Sequence, residues 1–169
     1  EQTRQATLAI AMHHGPVYLR FGRPKVPVFI DSSAPFELGK IQMMMSGPDL
    51  TIAACGHLVW EAIQAAVELA KDGIQADVLN VHTIKPLDEK TLVKSAQKTG
   101  HVLVAEEHQR AGGLGCSIAQ ALSSQHPTPM AFVAVEDQFG ESGTPAQLMK
   151  KYGLSAETIV IRAKELLGR

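Results

Sequence analysis

Apolar and polar residues follow two different periods along most of this 169-residue chain. Short continuous apolar runs, typical of strands, lie at 41–45, 50–55, 76–81, 101–105 and 130–135. Helical spacing and helix-starting residues predict helices at 57–71, 88–98, 145–152 and 155–167, and one opened by residues 112–115. Strands that alternate with helices form right-handed βαβ units. The pattern therefore predicts an α/β fold, with a mostly parallel five-stranded sheet and helices on both faces.

One strand of this sheet is expected to run antiparallel to the others. The runs at 41–45 and 50–55 are joined by the turn sequence Ser46-Gly47-Pro48-Asp49. A connection of this length is too short for a parallel crossover, but it permits an antiparallel pair. We therefore expect the strand at 41–45 to lie at or near the edge of the sheet.

The beginning of the chain has a different pattern. A helical pattern at 1–14 ends at Gly15-Pro16, because glycine accepts the left-handed cap and proline cannot continue a helix. The β-branched and aromatic residues at 17–21 predict one buried strand. Several prolines and the sequence Asp31-Ser32-Ser33 then favour an extended linker, which indicates a domain boundary within 24–36. Since the chain opens on Glu1 within a helical pattern, we expect it to be part of a longer protein.

Arg23 is the one candidate binding residue in this region. It lies just past the predicted strand at 17–21. Ligands bind outside the carboxyl ends of parallel strands, and a guanidinium group fits a phosphate. Arg23 is therefore a candidate phosphate ligand, with a solvent-exposed loop arginine as the alternative.

Composition and charge limit the possible partners. The net charge is −1, there is no block of lysines and arginines, and no apolar run approaches the roughly 20 residues of a membrane span. We expect neither nucleic acid nor a membrane as a partner. The cysteines, Cys55 and Cys116, fit no metal-ligand spacing, so we expect buried thiols in a reducing, cytoplasmic location.

Three further features are candidates for chemistry. The glycines of Gly112-Gly113-Leu114-Gly115 open a helix after a strand, as in a dinucleotide loop, but GxGxxG is incomplete and a tight turn with close packing is favoured. Glu106 and Glu107 are expected to point in opposite directions from a strand end. His82 and His108 have no second ligand at metal-binding spacing and are interpreted as structural or surface residues. These residues form no complete catalytic set, which indicates a domain that supports chemistry housed elsewhere.

Several stretches together resemble the C-terminal part of the transketolases, above all the C-terminal subunit of the split, two-chain form. They are Gly-Pro-Val-Tyr-Leu-Arg-Phe-Gly-Arg-Pro from Gly15, Phe-Glu-Leu-Gly-Lys from Phe36, His-Thr-Ile-Lys-Pro-Leu-Asp from His82, Ala-Glu-Glu-His from Ala105, Gly-Gly-Leu-Gly from Gly112, and Phe-Gly-Glu-Ser-Gly from Phe139.

The resemblance implies a domain organisation and a role for Arg23. Residues 1–30 would be the last helix and strand of a pyrimidine-binding domain, 31–36 a linker, and 37–169 the transketolase C-terminal domain. The complete enzyme would transfer a two-carbon ketol unit between sugar phosphates in the pentose phosphate pathway, and Arg23 would hold the sugar phosphate. A homodimer, an N-terminal transketolase subunit, or both are the implied partners.

The resemblance also implies that this chain lacks the cofactor site. Transketolases use thiamine diphosphate and Mg²⁺, and the glutamate and the Gly-Asp-Gly segment that they need are not in this sequence. We expect no catalytic, cofactor-binding or metal-binding residue here, no cofactor bound to the chain alone, and no activity without the rest of the enzyme.

Four alternatives stay open. The same domain occurs in 2-oxoacid dehydrogenase E1 β subunits and in 1-deoxyxylulose-5-phosphate synthase. From the residues alone, the chain could also be a non-catalytic interaction module, or bind a nucleotide at 112–115.

Overall fold

A computed structural model describes residues 1–22 and 25–169. The elements follow in the order α1 (Gln2–Ala11), β1 (Gln42–Met45), β2 (Leu50–Ala54), α2 (Leu58–Lys71), β3 (Ala76–Asn80), α3 (Glu89–Thr99), β4 (Val102–Gln109), α4 (Leu114–Gln125), β5 (Met130–Val135), α5 (Pro145–Lys151) and α6 (Ala156–Leu167). Within the described residues the strands form one sheet in the order β1-β3-β2-β4-β5, with β1 antiparallel and the others parallel. The predicted α/β class is confirmed.

The sheet is covered on both faces by helices that bury large aliphatic side chains. On one face α2 and α6 contribute Leu58, Leu69 and Ile159, and on the other α3 and α4 contribute Leu92 and Ile118, all fully buried. Burying one such side chain contributes about 1.5–3 kcal/mol. The parallel strands therefore form a rigid frame, and their carboxyl ends meet along one edge that we call the carboxyl edge.

The antiparallel strand β1 lies at the sheet edge as expected, but its neighbour is β3 and not β2. Gln42 is paired with Asn80 and Met43 with Leu79. The crossover through α2 places β3 between β1 and β2, so the turn that joins them must cross the amino end of β3. Gly47 makes this crossing possible, since a Cβ atom there would lie 2.5 Å from the backbone nitrogen of Ala76.

The strand predicted at 17–21, as part of a neighbouring domain, is not formed in this chain by itself. These residues have no regular secondary structure, and the side chains of Tyr18 and Phe21 are exposed. A strand forms only beside another strand that satisfies its backbone groups, and the sheet offers none here. We call residues 12–22 the arm. The following segment does dock on the sheet domain, because the Phe29 ring lies 5.6 Å from the Trp60 ring of α2.

Candidate functional site

The carboxyl edge between β2 and β4 brings together an imidazole and a carboxylate. Gly56 turns the chain sharply after β2 with a φ of +58°, and His57 follows as the N-cap residue of α2. The Nδ1 atom of His57 lies 3.3 Å from an Oε atom of Glu107 on the neighbouring strand β4. The His57 side chain is only 18% exposed, and that of Glu107 is 47% exposed. Solvent therefore reaches this pair mainly at the Glu107 carboxylate.

The arm crosses the carboxyl edge at this pair. Gly22, its last residue, lies so close to the His57 ring that a Cβ atom on the glycine would be 2.3 Å from Nε2. Heavy atoms do not approach so closely, so only glycine fits while the ring stays in place. The positive charge of Arg20 also acts to lower the pKa of Cys55, the residue two before His57. The arm thus adds a cation to an edge that carries carboxylates.

Cys55 lies within this cluster, in surroundings that disfavour its thiolate form. Burial raises the pKa of its thiol to about 12, Glu106 and Glu107 add to the shift, and Arg20 opposes it only in part. Because the thiolate is the reactive form, the thiol at this position is inert near neutral pH. Cys55 is only partly buried at the end of β2, so the expectation of a buried thiol is met in part. Cys116 differs from the expectation, since it is exposed at the start of α4.

Glu106 has a structural role that its sequence context did not reveal. The strand β4 continues through Glu106 and Glu107 to Gln109, so the two carboxylates point to opposite faces, as expected. Glu106 is 2% exposed and accepts hydrogen bonds from the backbone N–H groups of Leu114 at 2.7 Å and Gly115 at 2.8 Å. Its carboxylate is therefore the anion at the N-terminus of α4.

In this arrangement the Glu106 carboxylate occupies the place that a nucleotide phosphate would take at the glycine loop. In a dinucleotide site the helix N–H groups hold a phosphate, and here Glu106 already accepts from them. A Cβ atom at Gly113 would lie 2.1 Å from the Glu106 carboxylate, and one at Gly115 would lie 2.8 Å from the Phe132 ring. The glycines serve close packing around Glu106, which supports the tight-turn interpretation of this motif.

An open depression of about 370 Å³ lies beside α4. Arg110 crosses it, with its guanidinium 5.1 Å from the centre of the Phe132 ring and 3.1 Å from a Glu136 carboxylate oxygen. The arginine of this depression is thus already paired with a carboxylate.

The motif that begins at His82 docks the linker to the sheet. The His82 ring lies 4.5 Å from the Phe36 ring, and its Nδ1 atom is 2.9 Å from the Thr83 hydroxyl. The same hydroxyl accepts a hydrogen bond from the Gly39 backbone N–H at 3.2 Å. Burial lowers the pKa of His82 and so favours the neutral ring. Its interpretation as a satisfied structural histidine agrees with these contacts.

Asp88 completes this docking. As the N-cap of α3 it accepts from the Thr91 backbone N–H, and its second oxygen accepts from the backbone N–H of Ile41 at 3.2 Å. Its cap role follows from the sequence, whereas the contact with Ile41 depends on how the segment before β1 folds back.

Two kinds of site are not found in residues 1–22 and 25–169. No group of three or more histidine, cysteine or carboxylate side chains is placed to hold a metal ion there. None of the helices in this part of the chain combines the length and apolar character that membrane crossing requires.

His108 is exposed, with Nδ1 2.7 Å from the Gln109 carbonyl oxygen.

The predicted binding residue Arg23 lies outside the described residues. The structure does describe Gly22, which precedes it and rests on His57. The sequence argument named Glu107 but missed His57 as its partner. His57 follows the run predicted as a strand at 50–55, so the strand-end rule used for Arg23 would have selected it.

Comparison with known proteins decides the family. The model of the transketolase C-terminal domain matches residues 39–159. The chain belongs to the transketolase family. It contains the C-terminal domain that split transketolases share, and the predicted family is confirmed.

Two relatives and one solved structure show how far the similarity extends. The chain is 47% identical over 169 residues to the 6-deoxy-6-sulfo-D-fructose transketolase subunit of a Clostridium species, covering 99% of this chain and 52% of that protein. It is 38% identical over 169 residues to an apulose-4-phosphate transketolase subunit from Phocaeicola vulgatus, covering 99% and 54%. A split-gene transketolase described as an inactive β4 tetramer superposes with a TM-score of 0.94 at 41% identity, covering 98% and 54%. The chain therefore spans about half the length of these proteins.

Proposed function

We propose that this chain forms the C-terminal part of a transketolase that moves a two-carbon ketol unit between anionic sugars. The observation that carries the proposal is the superposition on a split-gene transketolase over 98% of the chain. The names of the relatives add the substrate class, since one acts on a sugar sulfonate and the other on a sugar phosphate. Both groups are tetrahedral anions that a guanidinium binds through paired hydrogen bonds.

The thiamine diphosphate and Mg²⁺ of the proposed enzyme do not fit the described residues of this chain. The helix N-terminus that follows a strand and glycine loop is taken by the Glu106 carboxylate. No three potential ligands converge on a metal position within residues 1–22 and 25–169. We therefore assign the cofactor to the rest of the enzyme, and expect this chain to be inactive without it.

The first thirty residues support an assembly with another domain or subunit. Large apolar side chains are exposed throughout this region, namely Leu8, Met12, Val17, Tyr18, Phe21, Val26 and Val28. Contiguous exposed apolar surface is typical of protein interfaces. We propose that residues 1–30 complete a neighbouring domain, with 31–36 as the linker and 37–169 as the C-terminal domain, and that an N-terminal transketolase subunit, a second copy, or both cover the exposed residues.

Reconstitution tests the activity. The chain alone should show no ketol transfer, and mixing it with an N-terminal transketolase subunit, thiamine diphosphate and Mg²⁺ should produce transfer between sugar phosphates. Decarboxylation of pyruvate without ketol transfer would instead favour the 2-oxoacid dehydrogenase or the 1-deoxyxylulose-5-phosphate synthase alternative. Nucleotide binding at micromolar concentration by the chain alone would contradict the assignment.

Arg23→Ala tests the proposed phosphate contact in the complete enzyme. A charge-assisted hydrogen bond of this kind contributes about 1.5–3 kcal/mol, so the KM for a phosphorylated sugar should rise roughly tenfold or more. Lys25→Ala is the matched control, because it removes a cation two positions further along the chain, and its KM should stay near the wild-type value. An unchanged KM in Arg23→Ala would remove this residue from the site.

A further inference from the structure

The strand β5 ends the sheet on the side opposite β1, and none of the described strands lies beyond it. The Val102 N–H of β4 donates a hydrogen bond to the carbonyl of Pro129, the residue before β5. In a parallel ladder successive residues turn their backbone groups to alternate sides, so the odd-numbered residues of β5 face β4. The N–H and C=O groups that face outward, away from the sheet, therefore belong to Met130, Phe132 and Ala134.

The two outer strands differ in how their free edges are protected. β1 has four residues, and its pairing with β3 changes register between Met43 and Met45. Short strands and bulges are the usual protection of an edge against pairing with another chain. β5 has six residues, keeps a regular register from Met130 to Val133, and contains no charge, glycine or proline. Its edge thus has the features of a strand that pairs with another chain.

Open depressions lie on both sides of β5. The depression of about 370 Å³ beside α4 includes Phe132 in its lining. Another, of about 250 Å³, is lined by Val133 and Ala134 together with Tyr152 and Thr158. When a strand is added to a sheet edge, its main chain supplies the hydrogen bonds and its alternate side chains enter pockets on the two faces. The surroundings of β5 offer space for such side chains on each face.

The sequence of β5 fits a second β5 in antiparallel orientation. With a two-fold axis at Phe132, Met130 is opposite Ala134 of the second copy, so all the outward-facing backbone groups find partners. Side chains that are opposite each other share a face of the sheet, and the long Met130 then meets the small Ala134. On the other face Val133 meets Ala131 in the same way. Phe132 meets its own copy, and aromatic pairs across strands are favourable.

The charges at the ends of β5 favour the same orientation. Glu136 and Asp137 follow the strand, whereas His126 and Thr128 precede it. An antiparallel copy brings the acidic end of each strand beside the end of the other that carries no carboxylate. A parallel copy would set the carboxylates side by side, and like charges directly opposite are destabilising.

We propose that β5 is an interface at which a second copy of this chain adds its own β5 in antiparallel orientation, with a two-fold axis at Phe132. The two sheets then continue as one across both copies. This interface is separate from the exposed apolar surface of residues 1–30, and it does not depend on ketol transfer.

The wild-type chain tests the pairing directly. In a mixture of isotope-labelled and unlabelled chains, nuclear Overhauser effects should connect the α-proton of Ala131 in one chain with that of Val133 in the other, because these residues form a closely spaced, non-hydrogen-bonded pair. The amides of Met130, Phe132 and Ala134 should exchange more slowly as the chain concentration rises. Those of Ala131 and Val133 bond to β4 and should be protected at every concentration. A chain that sediments as a monomer at the concentration used for the spectra, or a dimer without these signals, would overturn the proposal.

Charge substitutions at the axis test the register. Because Phe132 is its own partner, Phe132→Lys and Phe132→Glu should each be monomeric, and an equimolar mixture of the two should form a dimer. Tyr18→Ser is the matched control, since it removes an exposed aromatic side chain of the arm and should leave the β5 dimer unchanged. Two folded Phe132 variants that stay monomeric when mixed, or loss of the dimer in Tyr18→Ser, would contradict the self-pairing. If the Phe132 variants do not fold, the spectra of the wild-type chain decide the question.

Discussion

The two ends of the parallel strands use polar side chains in different ways. At the amino end, Asp77 on β3 is fully buried and accepts hydrogen bonds from the Gly47 backbone N–H, the Ser95 hydroxyl and the Lys98 ammonium, the last two at 2.6 Å. Thr51 on the adjacent strand β2 joins the network through a 2.7 Å hydrogen bond with Ser95. Each of these partners belongs to the sheet domain itself.

At the carboxyl end the polar groups reach segments outside the sheet and its helices. His57 contacts the arm at Gly22, while Thr83 accepts from Gly39 and Asp88 from Ile41, both in the segment that leads into β1. Glu106 is the exception, since it closes on the N-terminus of α4 within the domain. The amino end thus stabilises the packed sheet and helices, and the carboxyl end holds the segments that precede the sheet.

The largest expected effect comes from breaking the amino-end network. Asp77→Ala leaves a buried N–H, a hydroxyl and the Lys98 ammonium without their shared acceptor, and removing one partner of a buried ion pair costs about 3–5 kcal/mol. Because Lys98 is 42% exposed on its side chain, we expect about 3 kcal/mol, the lower end of that range. Urea unfolding of the chain measures this loss.

Asp72→Ala is the control for this prediction. Its ion pair with Lys164 is at the surface, so its unfolding midpoint should stay close to that of the wild type. Contact between Gly22 and His57 should persist in folded Asp77→Ala. A similar loss of stability in both variants, or loss of the arm contact in Asp77→Ala, would break the distinction between the two ends.

A second prediction concerns the exception at the carboxyl end. Glu106→Ala leaves the N–H groups of Leu114 and Gly115 without an acceptor, and unsatisfied buried groups cost about 1–3 kcal/mol. Acetate carries the same carboxylate and should restore part of the lost stability as its concentration rises. Glu107→Ala, one residue along the strand, should respond to acetate no more than the wild type. Failure of acetate to distinguish the two variants would contradict the role of Glu106 as the bound anion of α4.

Much of the sheet domain could be predicted because local signals agree with the tertiary structure. The strand predicted at 130–135 has those bounds in the structure, and Asp88 and Ser155 are helix caps as expected. Apolar runs and caps are short-range features, so they can be recognised without knowing which elements become neighbours in the fold. The partner of β1 could not be predicted in this way, since the position of β3 depends on the crossover through α2.

The candidate site was harder to predict, because its polar residues owe their roles to distant segments. A glutamate at the end of an apolar run indicates solvent, yet Glu106 is buried since the N-terminus of α4 folds onto it. Lys98 lies in the last turn of α3, and it pairs with Asp77, which is distant in sequence. In each case a long-range contact decided the environment of a charged group.

The smallest of these effects is the loss of stability at acidic pH that comes from protonation of Asp77. Burial by itself would raise the pKa of Asp77, but hydrogen bonds from Lys98, Ser95 and Gly47 outweigh it and leave the pKa below its ordinary value. A carboxyl whose pKa is lower in the folded than in the unfolded chain stabilises the fold above the unfolded pKa of about 3.9. That stabilisation is lost as the pH falls through the lower, folded pKa.

Asp77→Asn removes the titrating group and keeps one acceptor, so it isolates this contribution. The variant should be less stable than the wild type at pH 7, and its free energy of unfolding should fall less steeply below about pH 5. Asp88, whose pKa is also lowered by hydrogen bonds against the effect of burial, accounts for part of the remaining slope and serves as the carboxyl-end comparison in Asp88→Asn. Urea titrations from pH 7 to pH 3 measure both slopes. An Asp77→Asn slope equal to that of the wild type would show that the ionised network at the amino end does not contribute to stability.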